Sequence, residues 1–142
     1  MRHLAAQLGL SEVVFLGHVD DIPGFLDSID ILVHASTKPE PLGQTVLQGL
    51  AYAKPIIATE GGGPSEWIDS GVNGLLVPPD QPEALAVALR ELADSYELRT
   101  KLAAAAAQTK GILTDDECVA AHAEFFRAVR QAHRAKSGRR LR

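Results

Sequence analysis

Four short runs of apolar residues, each separated from the next by a helical pattern, constrain the fold of this chain more than anything else in it. The runs are Val13–Leu16, Asp30–His34, Pro55–Thr59 and Gly74–Val77. They are continuous rather than alternating, so each predicts a strand buried on both faces, as in a parallel sheet. Parallel strands need crossover connections, and helices are the usual ones. Leu4, Ala5 and Leu8 fit one face of a short opening helix, and Asp21–Ser28 fits a second. Gly43–Ala53 is nearly free of charge, which predicts a well-buried helix with Tyr52 in the core. Pro82–Asp94 opens on proline at the first helical position, where a missing N–H costs nothing. Ser95–Lys110 is rich in alanine and stops at Gly111. Thr114 to Glu117 is a capping box that opens a long last helix, with Val119, Phe126 and Val129 near one face. The order β-α-β-α-β-α-β followed by helices alone specifies an α/β fold, a Rossmann-like parallel sheet with flanking helices.

A chain of 142 residues makes one compact domain. Four strands are few for a doubly wound sheet that binds nucleotide. Residues 1–142 are therefore expected to form an incomplete domain, with 114–142 as a long C-terminal helix and basic tail. The net charge of −4 gives no footprint for nucleic acid. The local exception is Arg127, Arg130, Arg134, Lys136, Arg139, Arg140 and Arg142, with no acid among them. Two readings stay open: a solvated helix end with a frayed tail, or peripheral contact with an anionic membrane surface. One cysteine, Cys118, excludes an intrachain disulfide and suits a reducing compartment. The opening residues carry no long apolar run, and no stretch reaches about 20 apolar residues. The expectation is a cytoplasmic chain, with the inner membrane face as its one peripheral location.

In open α/β sheets, ligands bind outside the carboxyl ends of the strands. That rule selects the loops Gly17–Asp21, Ala35–Gly43, Thr59–Ser65 and Pro78–Gln81. Two prolines stiffen Lys38–Gly43 around Glu40 and fix where its carboxylate points. Gly43 then opens a helix whose free N–H groups at Gln44, Thr45 and Val46 make a phosphate seat. Gln48 lies five residues past Gly43, still near this end. A carboxylate beside a phosphate seat either meets hydroxyl groups or merely offsets the positive helix end. The run Gly61-Gly62-Gly63 is equally a tight turn or a ligand cradle, and Glu66 fits an early-helix position. His34 and His18 read as structural histidines, with the cleft as the alternative for each. Cys118 and Trp67 read as packing residues. No Asp-x-Asp pair, Cys-x-x-Cys or His-x-x-x-His appears, so no metal site is expected. No cofactor is expected either.

Taken together, these segments carry a pattern. His34–Ala51, Lys54–Thr59, Gly62–Glu66 and Asn73–Pro78, in that order, resemble family 4 glycosyltransferases. Val14–Val19 and Ser28–Ile31 fit the same pattern, so that the resemblance covers about Leu8 to Leu92. It implies the C-terminal, donor-binding lobe of a GT-B enzyme. That enzyme would transfer a sugar from a UDP- or GDP-sugar to an acceptor with retention of configuration and without an obligatory metal. By the same resemblance Glu40 contacts donor sugar hydroxyls, and Gly43, Gln44 and Thr45 hold the diphosphate. The ribose position falls on Gln48, where the family carries an acid. Glutamine still donates and accepts hydrogen bonds, without the charge-assisted contact. Val19 would lie beside the base. The family's Gly-Arg…Lys-Gly segment and its acceptor lobe are expected outside this stretch, on the same polypeptide or on another chain. Two other readings are carried. One is a catalytically inactive nucleotide- or partner-binding module. The other is a non-hydrolysing epimerase of the same architecture, which the Glu40-to-Gln48 spacing disfavours. By family the chain is expected to be a hexosyltransferase-like enzyme, and in isolation inactive.

Overall fold

A computed structural model of the chain describes residues 1–139. The chain divides into two units, Met1–Gln108 and Thr109–Arg142. In chain order the elements are α1 (Arg2–Gln7), α2 (Ile22–Asp27), β1 (Leu32–His34), α3 (Gln44–Ala51) and β2 (Ile56–Thr59). They continue with α4 (Gly63–Trp67), β3 (Leu75–Val77), α5 (Pro82–Asp94), α6 (Tyr96–Ala106) and α7 (Asp115–Arg139).

The first unit is an α/β layer structure around a parallel sheet of order β1-β2-β3. Leu32 pairs with Ile56 and His34 with Ala58; Ile57 pairs with Leu75 and Thr59 with Val77. β2 is central, and all four of its residues are buried, which is why Ile56 to Thr59 reads as an unbroken apolar run. Ile57 and Val77 pack with Ala88 and Leu92 of α5 and Leu102 of α6 in one cluster, which Leu85 and Leu98 border. Val46 and Leu50 of α3 are fully buried, as expected of an uncharged helix. Truncating Leu50, Ile57 or Leu92 to alanine would cost about 2–5 kcal/mol.

Two expectations fail here. Val13–Leu16 forms no strand. A strand is stable only with a ladder partner, and this run pairs with none of the three strands. Val14 is 76% and Leu16 60% exposed. What the run does hold is Arg2, whose guanidinium lies 4.7 Å from the Phe15 ring centroid and donates to the Phe15 carbonyl. Tyr52 is not core: it caps the C-terminus of α3 with φ −92°, beyond the helical face that carries Val46 and Leu50, and is exposed.

Helix α5 keeps its predicted bounds. The Ser95 hydroxyl accepts from the Leu98 N–H and caps α6. That helix stops at Ala106, short of Lys110. Ala106 is its last buried residue, and the Gln108 N–H closes a tighter turn onto the Ala105 carbonyl. In the second unit the capping box forms as expected. The Thr114 N–H and hydroxyl both donate to Glu117 Oε2, at 2.8 and 2.9 Å, and the Glu117 N–H returns to Thr114 Oγ1. Val119, Phe126 and Val129 are exposed along α7. Arg127, Arg130 and Arg134 are exposed on the same helix, while Arg140 and Arg142 lie outside the described residues.

Candidate functional site

The loops after β1 and β2 meet at the carboxyl edge of the sheet. Glu40 pairs with Gly62 as an isolated parallel bridge, and the Gly63 N–H donates to the Glu40 carbonyl at 2.8 Å. The approach is close enough that a Cβ at Gly62 would strike the Glu40 carbonyl, and one at Gly63 the Leu42 carbonyl. Gly62 also sits at φ 65°, ψ −143°, a region that only glycine enters readily. The glycine run is thus a backbone-to-backbone lock that holds the Glu40 loop in place. Gly61 packs beside Pro39, and its N–H donates to Ser65 Oγ at 2.8 Å. Ser36 Oγ donates to the Lys38 carbonyl at 2.8 Å and fixes the entry to the loop.

Gly43 turns the chain into α3 through the left-handed region, φ 72°, ψ 47°. A Cβ there would press on Pro64, so the two loops are joined at this point too. No side chain caps the start of α3, and no acid lies in its first turn. The N–H groups of Gln44 and Thr45 therefore present the positive end of the helix without a competing anion. Gln48 is half-buried one turn further on, on the face that Gln44 starts. The Glu40 side chain is half-buried and has no hydrogen bond or ion pair among the described residues. It does not cap α3, so the helix-end reading of Glu40 has no hydrogen bond behind it.

Glu40, Gly43, Gln44 and Thr45 thus share one corner of the sheet edge with the glycine run. Val19 sits elsewhere: with Val14, Phe15, Gly17, His18 and Phe25 it lines a cavity of about 640 Å³ whose walls include neither Glu40 nor Gln48. His18 is on the surface, 3.1 Å from Asp20. His34 is not a satisfied structural histidine, because its buried Nδ1 has no hydrogen-bond partner among the described residues, and neither has Trp67 Nε1. Cys118 packs along its own helix, with Sγ 3.5 Å from His122 Nδ1. The lock formed by Gly62 and Gly63 is what the sequence reading missed. Its signal was present in three glycines before a proline, but the loop they lock against lies some 20 residues upstream.

The sequence profile of glycosyl transferases group 1 matches residues 1–109, essentially the whole first unit. The chain belongs to this family. A lipopolysaccharide core biosynthesis glycosyltransferase, LpsE of Rhizobium meliloti, is 36% identical over 104 residues, covering 72% of this chain and 30% of that protein. D-inositol 3-phosphate glycosyltransferase of Streptomyces griseus is 31% identical over 140 residues, covering 96% and 29%. Among solved structures, Anabaena Alr3699/HepE in complex with UDP-glucose superposes with a TM-score of 0.77 at 29% identity. It covers 87% of this chain and 35% of that one. The group 1 chain spans about 30% of the length of these curated relatives. Its fold is that of the GT-B glycosyltransferases it superposes on. No helix among the described residues is long and apolar enough to cross a membrane.

Proposed function

We propose that this chain is the donor-binding part of a family 4 glycosyltransferase that transfers a sugar from a UDP- or GDP-sugar with retention of configuration. The observation that carries this reading is Glu40: an unpartnered carboxylate, fixed by the glycine lock beside the uncapped start of α3. Glu40 then accepts hydrogen bonds from donor sugar hydroxyls. Gly43 and the amides of Gln44 and Thr45 hold the diphosphate. Gln48 reaches the ribose, and Val19 flanks the base. UDP and UDP-glucose in the HepE complexes support this donor class. No second carboxylate in these motifs pairs with Glu40, so a double displacement lacks its second acid. The leaving diphosphate departs on the face the acceptor approaches, its charge held by the helix start.

On this reading residues 1–142 are an incomplete C-terminal lobe. The diphosphate cations and the acceptor lobe come from outside this stretch, and the isolated chain is inactive. Two missing charge-assisted contacts at ~1.5–3 kcal/mol each weaken nucleotide binding by about two to four powers of ten. Calorimetry on the isolated chain should find affinity for UDP and GDP weaker than micromolar; micromolar binding would contradict the incomplete lobe. A second reading, an inactive nucleotide- or partner-binding module, is favoured by Gln48 standing where the family carries an acid.

The complete protein separates the two. Glu40→Gln should depress turnover and leave UDP affinity nearly unchanged, because the carboxylate meets only the sugar. Gln48→Ala should mainly weaken UDP binding. No turnover in the parent protein supports the inactive module. Retained turnover with lost UDP affinity in Glu40→Gln overturns the assigned roles.

A further inference from the structure

Along α7, Cys118, His122, Phe125, Val129 and Ala132 recur at alternating intervals of four and three residues. That spacing keeps one stripe of a helix facing a second helix. Val119 and Phe126 each follow a seam residue and widen the stripe on one side. The stripe is open to solvent: Phe125 is 62% and Phe126 65% exposed, and Val119 and Val129 are exposed with them. The two phenylalanine rings meet edge to face, with centroids 5.7 Å apart, and form one apolar platform at the middle of the helix. Contiguous apolar surface left in water marks an interaction face.

The charges of the helix decide what covers it. Its first ten residues carry Asp115, Asp116, Glu117 and Glu124 and no Lys or Arg. No acid follows Glu124, and Arg127, Arg130 and Arg134 are exposed. A second α7 running parallel would lay acid beside acid and Arg beside Arg. Running antiparallel, it lays each acidic half beside a basic one and opposes the two helix dipoles. An anionic lipid surface fits less well. By helical spacing Arg127 and Arg134 lie on the side away from the seam, so lipid that covered the phenylalanine rings would miss them. We propose that α7 is a dimerisation element that pairs antiparallel with α7 of a second copy of this chain, about a two-fold axis at the level of Arg127. Phe125 of each helix then packs on Val129 of the other, in a self-complementary contact. The two Cys118 residues lie about 27 Å apart along the helix axis. None of Glu40, Gly43, Gln44, Thr45 or Gln48 is on α7, so the dimer stands or falls apart from the donor assignment.

Sedimentation equilibrium of the whole chain tests this. One helix pair is a small interface, so dimers should form with micromolar affinity. Phe125→Ser and Val129→Ser change exposed positions, so the fold should be kept, and each should weaken the dimer at least about tenfold. Arg130→Glu combined with Arg134→Glu should weaken it about tenfold at low salt and much less at high salt, with helical ellipticity unchanged. Oxidation of the dimer with copper phenanthroline should form no disulfide between chains, because Cys118 is the one cysteine and lies far from its copy. A monomer up to near-millimolar concentration, or a dimer indifferent to both serine variants, would overturn the seam. A disulfide between chains through Cys118, or a dimer indifferent to the charge reversal, would overturn the antiparallel pairing. A monomer that pellets with phosphatidylglycerol vesicles would assign the face to lipid and overturn the dimer.

Discussion

The glycines at the sheet edge do different jobs, and substitution should tell them apart. Gly63 has ordinary helical geometry, but a Cβ there would overlap the Leu42 backbone, which no rotamer change relieves. Gly61 is the reverse: φ is 109°, and a Cβ would meet nothing nearer than Pro39 at 3.7 Å. Gly61→Ala should therefore cost about 1–2 kcal/mol of backbone strain alone. Gly63→Ala should cost about 3 kcal/mol and spring the Glu40 loop from its seat. Urea unfolding of both variants checks the order, and equal losses would mean that the two loops are not locked. At this scale the sequence was half legible. Prolines on both sides of Glu40 disclosed a stiff loop, since proline acts on its own neighbours. Turn or cradle could not be decided for the glycine run, because what Gly62 and Gly63 avoid is a carbonyl on a distant loop. Tyr52 was misread because its place past the end of α3 depends on where that helix stops.

Elements whose signals are local were read well, and those that depend on a partner were not. The capping box at Thr114 is local, and all three of its hydrogen bonds are present. The Thr114 backbone N–H, and then its hydroxyl, hold the Glu117 carboxyl below the usual glutamate range. A lowered folded value means that the cap contributes fully above the unfolded glutamate range and fades as pH falls through the folded value. Carbon NMR titration should find the Glu117 midpoint below the usual glutamate range. Thr114→Ala should raise that midpoint only part-way, because the larger cause, the backbone N–H, remains. Helical ellipticity should fall in the same variant. A Glu117 midpoint unmoved by the substitution would mean that the hydroxyl contributes nothing to the cap. Val13–Leu16 is the opposite case. Its apolar residues have strand propensity, yet a strand is a relation between two segments, and nothing local supplies the second.

At the scale of the whole molecule, we propose that the run stands alone because neighbouring strands of the sheet lie outside this stretch. In doubly wound sheets of order 3-2-1-4-5-6, the fourth, fifth and sixth strands lie side by side, joined by crossovers. The order β1-β2-β3 fits those three positions. Val13–Leu16 then takes the place of the third strand, and the first and second would lie between it and β1. This accounts for the exposed Val14 and Leu16, for Val33 exposed on an edge strand, and for the apolar walls of the cavity at Val19. It also makes a prediction about backbone protection, which is independent of any catalytic measurement. In the chain as it stands, amides of Val13–Leu16 should exchange with solvent freely, while those of Ile57 and Ala58 are protected by the ladder on both sides of β2. On this proposal, joining the chain to the segment that precedes the matching region in LpsE should supply the two strands. Exchange at Val14 and Phe15 should then slow by at least about a hundredfold, with β2 little changed. If those amides stay unprotected in a fused protein whose β2 is intact, Val13–Leu16 is a surface connection, and the incomplete sheet is not the reason for its exposure.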